Sequence, residues 1–195
     1  MRRICVFAGS NVGVRPEYSE AARALGKELV KRGLGLVYGG ASVGLMGVIA
    51  NTVLAEGGEA IGVLPRGLFI RELPHKGLTK LYEVDSMHER KALMADLADG
   101  FISLPGGFGT FDELFEIITW AQLGLHRKPV GVLNVAAYFE PLLALIQHAS
   151  REGFIPAAHL SLVLCEDNPA LLLDRFAHYT DPALASKWAE FPSER

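Results

Sequence analysis

Cysteine is nearly absent from this chain: two residues, Cys5 and Cys165, among 195. Two thiols make no disulfide framework, and both fall in apolar, strand-like runs. No apolar stretch approaches the roughly 18 residues of a membrane-spanning helix, so no such span is expected. The segment 1–9 has the basic start of a signal peptide, but its apolar run stops at Gly9-Ser10-Asn11, and it reads as a first strand. A strong charge of one sign is missing too. The formal net charge of −3 gives no general attraction to nucleic acid or to a membrane surface. The six histidines form no His-x-x-x-His pair and adjoin no carboxylate-rich cluster, so no metal site is expected. A Gly-Lys-Ser/Thr phosphate loop, the dinucleotide spacing G-x-G-x-x-G and a G-x-S-x-G nucleophile turn are also lacking. These absences leave a cytoplasmic chain that handles a small molecule, without nucleic acid, membrane or metal as partner.

What is present is a core-building composition. Half the residues are hydrophobic and 21% are charged, which suits a single folded domain over 1–195. Short apolar runs at 4–8, 34–38, 60–64, 80–84, 101–104, 129–133 and 161–165 read as strands. They alternate with helical periods at 17–31, 44–55, 86–98, 111–123, 138–150 and from 170 onward. That alternation predicts an α/β protein with a Rossmann-like three-layer fold and a mostly parallel, doubly wound sheet. Ligands of such folds bind beyond the carboxyl ends of the strands. The irregular stretch 66–77 is expected to border that site, and the chain from about 181 to 195 to form a peripheral tail.

Three strand exits are rich in glycine. The first is Gly9-Ser10-Asn11-Val12-Gly13, and the second runs from Gly39-Gly40 to Gly44-Leu45-Met46-Gly47. The third, Pro105-Gly106-Gly107-Phe108-Gly109-Thr110-Phe111-Asp112-Glu113, is the most informative. Glycine lets backbone N–H groups approach a ligand closely, and the following helix N-terminus favours an anion such as phosphate. A carboxylate at such a place, Glu113, suggests chemistry on a phosphorylated sugar or nucleotide. Thr110-x-x-Glu113 also fits a plain capping box, as does Ser86 with Glu89. Met87, Arg90, Met94 and Leu97 share one helical face that should be apolar, and Arg90 interrupts it. A buried cation is costly unless paired. Arg90 therefore meets Glu113, a ligand phosphate or both, or else it snorkels to solvent. Lys91 is either a phosphate-binding cation or a solvated lysine, and His88 reads as surface or structural.

At these residues the chain resembles the LONELY GUY (LOG) family of cytokinin-activating phosphoribohydrolases, long mislabelled as lysine decarboxylases. Residues 105–113 match its P-G-G-x-G-T-x-x-E signature, and Met87-His88-Glu89-Arg90-Lys91 matches its M-H-x-R-K. The likeness runs from Phe7-Ala8-Gly9-Ser10 to Ile118-Thr119-Trp120-Ala121-Gln122-Leu123-Gly124. The resemblance implies a Rossmann-like homodimer with sites near the subunit interface. It implies hydrolysis of the N-glycosidic bond of AMP or of cytokinin riboside 5′-monophosphates, giving free base and ribose 5-phosphate with no cofactor. It assigns catalysis to Arg90 and Glu113. Substrate contacts fall to Met87, Arg90, Lys91, Pro105, Gly106, Gly107, Phe108, Gly109, Thr110 and Glu113, joined by Gly9, Ser10, Gly39, Gly40 and Gly44 of the other two turns. The chain departs from the family in having Asp112 where Glu is common, and Gly67 where an acidic residue often follows the Pro-Arg pair. A carboxylate can stabilise the oxocarbenium-like sugar of such a cleavage while activating water. A pyridoxal-phosphate decarboxylase would need a Schiff-base lysine and a partner for the pyridine nitrogen, and only Lys91 lies in a motif. The alternative is a non-catalytic nucleotide or molybdenum-cofactor carrier on the same scaffold. Retention of both Arg90 and Glu113 favours the enzyme.

Overall fold

The computed structural model describes residues 1–66 and 74–182. Seven parallel strands form one sheet: β1 (Arg3–Phe7), β2 (Gly35–Tyr38), β3 (Ala60–Pro65), β4 (Lys80–Val84), β5 (Gly100–Ser103), β6 (Val130–Leu133) and β7 (Val163–Glu166). Between and after them come α1 (Pro16–Lys31), α2 (Gly44–Ala55), α3 (Met87–Leu97), α4 (Phe108–Gln122), α5 (Glu140–Arg151) and α6 (Pro169–Ala177). The strand order is β4-β3-β2-β1-β5-β6-β7. The chain winds outward from β1 to β4, then crosses back to lay β5 against the other side of β1. Loops leaving β1 and β5 therefore diverge to opposite faces, and the crevice between them is where doubly wound folds bind ligands.

Both faces of the sheet are covered, which is why β2, β3, β5 and β6 are buried at every position. One core packs Leu25 and Leu29 of α1, Leu45 and Ile49 of α2, and Leu172 and Phe176 of α6 against Ile4, Leu36 and Ile102. The other packs Met94 of α3 and Leu114 and Ile117 of α4 against Cys5, Val37, Val63 and Phe101. Each fully buried aliphatic side chain contributes about 1.5–3 kcal/mol. At the edge, β4 keeps Lys80 and Glu83 exposed, charges that discourage pairing with another chain. Cys5 and Cys165 are both unbridged. No helix among the described residues is long and apolar enough to cross a membrane.

The strands lie where the apolar runs place them, but two helix starts differ from expectation. α4 begins at Phe108, three residues before the expected 111, with Gly107 as its N-cap and no side-chain capping bond. Thr110 is thus inside the first turn, and Thr110-x-x-Glu113 is not a capping box. α5 begins at Glu140, after a tight turn in which Ala136 (φ 49°) and Ala137 (φ 59°) are left-handed. Ser86, by contrast, is a true cap. Its Oγ accepts from the Glu89 amide at 3.1 Å, while Glu89 Oε2 accepts from the Asp85 amide at 2.8 Å. The tail residues 183–195 and residues 67–73 of the 66–77 loop lie outside the described residues.

Candidate active site

The glycine-rich turns meet at the β1/β5 switch. Gly9 N–H donates to the Pro105 carbonyl at 3.0 Å, and Leu45 N–H of the second turn donates to the Gly9 carbonyl at 2.9 Å. Gly9, Ser10, Leu45, Gly106, Tyr18 and Tyr138 are among the walls of a cavity of about 180 Å³ at this junction. Pro105 is buried beneath it, Gly107, Phe108 and Gly109 are exposed, and Thr110 turns back into the protein with 4% of its surface accessible. Because the α4 cap is a glycine, no side chain occupies the amides at that helix N-terminus as a cap. The first amides of a helix lack intrahelical partners and carry the positive end of the helix dipole.

Arg90 lies on the core side of α3, 5% exposed, and does not snorkel. Its Nε donates to the Val63 carbonyl and its Nη2 to the Gly39 carbonyl, each at 3.1 Å, while Nη1 lies 3.8 Å from Met87 Sδ. The guanidinium thus caps the carboxyl ends of β2 and β3, which supply the hydrogen bonds a buried cation requires. A side chain at Gly39 would obstruct it: a Cβ there would lie 2.0 Å from Arg90 Nη2. Gly40 and Gly44 continue the same turn. Glu113, on the second turn of α4, is half-buried. Both groups act on one buried thiol. Burial pushes the Cys5 thiol up, the Glu113 carboxylate pushes it further, and Arg90 and Lys128 pull it back. Arg90 is thus held at the carboxyl ends of β2 and β3, and Glu113 stands on the helix that follows β5.

Lys91 is not a solvated lysine. It is 11% exposed and bridges α3 to α4, with Nζ 3.1 Å from Asp112 Oδ2 and 2.9 Å from Glu116 Oε2. Burial would lower its pKa, but Glu116 and Asp112 outweigh that and hold it above the ordinary 10.5. Met87, at the start of α3, is 41% exposed, and His88 is exposed, in keeping with its surface reading. Gly67 lies outside the described residues. Sequence reasoning missed Tyr18 and Tyr138, whose rings meet edge to face at 5.8 Å beside the cavity. No spacing pattern flags either one. Among the described residues, no group of three or more His, Cys, Asp or Glu could hold a metal ion.

A parallel, doubly wound sheet with its glycine turns gathered at the switch point defines a Rossmann-like protein whose site suits a phosphorylated ligand. Comparison with known proteins narrows that class. The family model described as "Possible lysine decarboxylase" matches residues 46–176. A probable cytokinin riboside 5′-monophosphate phosphoribohydrolase of Oryza sativa subsp. japonica is 51% identical over 91% of this chain and 80% of its own length. A cytokinin riboside 5′-monophosphate phosphoribohydrolase of Arabidopsis thaliana is 49% identical over 91% of this chain and 82% of its own. The chain belongs to the LONELY GUY family. Among solved structures, the molybdenum cofactor binding protein of Rippkaea orientalis aligns with a TM-score of 0.67, covering 91% of this chain and 96% of that one. At 21% identity that likeness shows the fold alone.

Proposed function

We propose that this protein hydrolyses the N-glycosidic bond of a nucleoside 5′-monophosphate, either AMP or a cytokinin riboside 5′-monophosphate, and releases free base and ribose 5-phosphate. The observation that carries the reading is the glycine N-cap of α4, which has no side-chain capping bond, with the half-buried Glu113 on the next turn and the buried Arg90 held at the carboxyl ends of β2 and β3. The Gly107–Thr110 amides bind the phosphate. Glu113 draws a proton from water and stabilises the oxocarbenium-like ribose as the bond from C1′ to the base nitrogen breaks. The hydroxide ends on C1′ and the proton on the departing base. Arg90, fixed by two backbone carbonyls, orients Glu113 and the ribose phosphate. Identity near 50% to phosphoribohydrolases, against 21% to a cofactor-binding protein, favours hydrolysis over the carrier alternative.

The protein acts in the cytoplasm as a homodimer of single-domain subunits, with its sites near the interface. What supports the dimer is apolar surface on the α4–α5 side. Phe115, Leu123 and Leu125 are 39–69% exposed, and Leu145 of α5 is 59% exposed. A monomer in sedimentation at micromolar concentration would remove that part of the proposal. The reaction is tested by product analysis with AMP and with N6-isopentenyl-AMP. Free base together with ribose 5-phosphate is expected, and intact nucleotides would sink it.

A further inference from the structure

Tyr138 has no part in the chemistry above, yet its hydroxyl donates to the Gly106 carbonyl at the head of the glycine turn. The segment presenting it is tightly held. Asn134 Oδ1 accepts from the Phe139 amide and Asn134 Nδ2 donates to Glu140 Oε1, both at 2.8 Å. Phe139 has no accessible surface and anchors the far end. Between them Ala136 and Ala137 are both left-handed, a conformation unfavourable to any residue with a Cβ. The Tyr138 ring is wedged edge-on against Tyr18 and Phe139, at 5.8 and 5.1 Å. Backbone strain is thus borne in a loop that brings one hydroxyl to one carbonyl, and such strain persists where the surroundings over-determine it.

The consequence follows from peptide geometry. The Gly106 carbonyl and the Gly107 N–H belong to one planar trans unit and point in opposite directions. Two consecutive glycines leave that unit free to rotate. It cannot be stiffened by substitution at Gly106, where a Cβ would lie 2.1 Å from Thr110 Oγ1. The restraint must come from outside the turn. We infer that Tyr138 is a positioning residue: by holding the Gly106 carbonyl inward it keeps the Gly107 N–H turned outward to the substrate's phosphate. This rests on the phosphate-binding reading of the turn.

The test is calorimetric titration of the intact protein and of Y138F with inorganic phosphate, AMP and adenosine. Phenylalanine keeps the ring contacts and removes only the donor. The expected result is a loss of roughly 3- to 10-fold in phosphate and AMP affinity, the value of one hydrogen bond, with adenosine affinity unchanged. Ala137→Gly suits the left-handed turn and should keep wild-type affinity. Equal phosphate affinity in wild type and Y138F, no phosphate binding by wild type, or parallel loss for AMP and adenosine each overturns the assignment. So does a loss in A137G with Y138F unaffected, which would move the effect into the turn backbone. Hydrolysis of AMP is scored separately. A wild-type protein that binds phosphate through Tyr138 but cleaves nothing would overturn the proposed reaction and leave this inference standing.

Discussion

Replacing Gly39 by alanine should disable the site while leaving the Arg90 and Glu113 side chains chemically intact. The backbone of Gly39 is not left-handed, so alanine meets no backbone penalty there. The new Cβ would lie 2.0 Å from Arg90 Nη2 and 3.1 Å from Met46 Sδ. The guanidinium is the far end of a flexible side chain, so it moves rather than forcing the sheet apart. In moving it loses the charge-assisted hydrogen bond from Nη2 to the Gly39 carbonyl, worth about 1.5–3 kcal/mol. For a domain of this size that is a fall in Tm of about 3–12 °C. Displacing an orienting group by about 1 Å costs on the order of 100-fold in rate. G39A should therefore lose about two orders of magnitude in kcat/KM for AMP while staying folded in differential scanning fluorimetry. The effect should vanish in an R90M background, because the two changes act through one contact. A G39A protein with wild-type Tm and kcat/KM would refute the reasoning, since Arg90 would then not depend on the space above Gly39.

Three further outcomes are expected. Glu113→Gln removes the base but keeps the shape, so kcat should fall about 10²–10⁴-fold while calorimetric AMP affinity stays within about threefold; full turnover in E113Q would end the proposed mechanism. Lys91→Met strips the partner from Asp112 and Glu116, and a loss of about 1–2 kcal/mol is expected, between that of a surface and a buried pair. An unchanged Tm with a raised KM would instead return Lys91 to the nucleotide. His126 donates from Nε2 to the Ile117 carbonyl and accepts at Nδ1 from the Lys128 amide, an arrangement that needs the neutral ring. Burial, partly offset by the Ile117 carbonyl, holds its pKa below the ordinary 6.5. The unfolded chain then binds the proton more readily. The stability His126 provides is complete above about pH 6.5 and is lost as pH falls from there through the folded value. Urea midpoints between pH 7.5 and 5.5 should fall less for H126Q than for wild type, and parallel slopes would show that His126 does not contribute.

The order of strands and helices was legible along the chain because each strand is a short apolar run covered on both faces. The runs at 34–38, 60–64 and 129–133 could hardly be surface. The three glycine turns were legible for a related reason: glycine marks where a backbone must turn sharply or come close to something. Helical period put Arg90 on an otherwise apolar face of α3 but left open whether it is buried and paired or snorkels to solvent; the structure buries it. The partners of Arg90 could not be read from the pattern, since they are main-chain carbonyls at positions 39 and 63, and every residue carries a carbonyl. The start of α4 was misplaced because Gly107 caps it without a side chain, leaving Thr110-x-x-Glu113 to imitate a start signal. Lys91 looked free because its partners sit on another helix, and a pattern within one helix does not reveal what packs beside it. Nothing in Ala136-Ala137 announces two left-handed residues. Composition and periodicity determine which segments form and which faces are buried, because both depend on neighbours a few positions away. Tertiary structure decided which buried polar group meets which carbonyl, because that depends on segments far apart in sequence arriving within about 3 Å of one another.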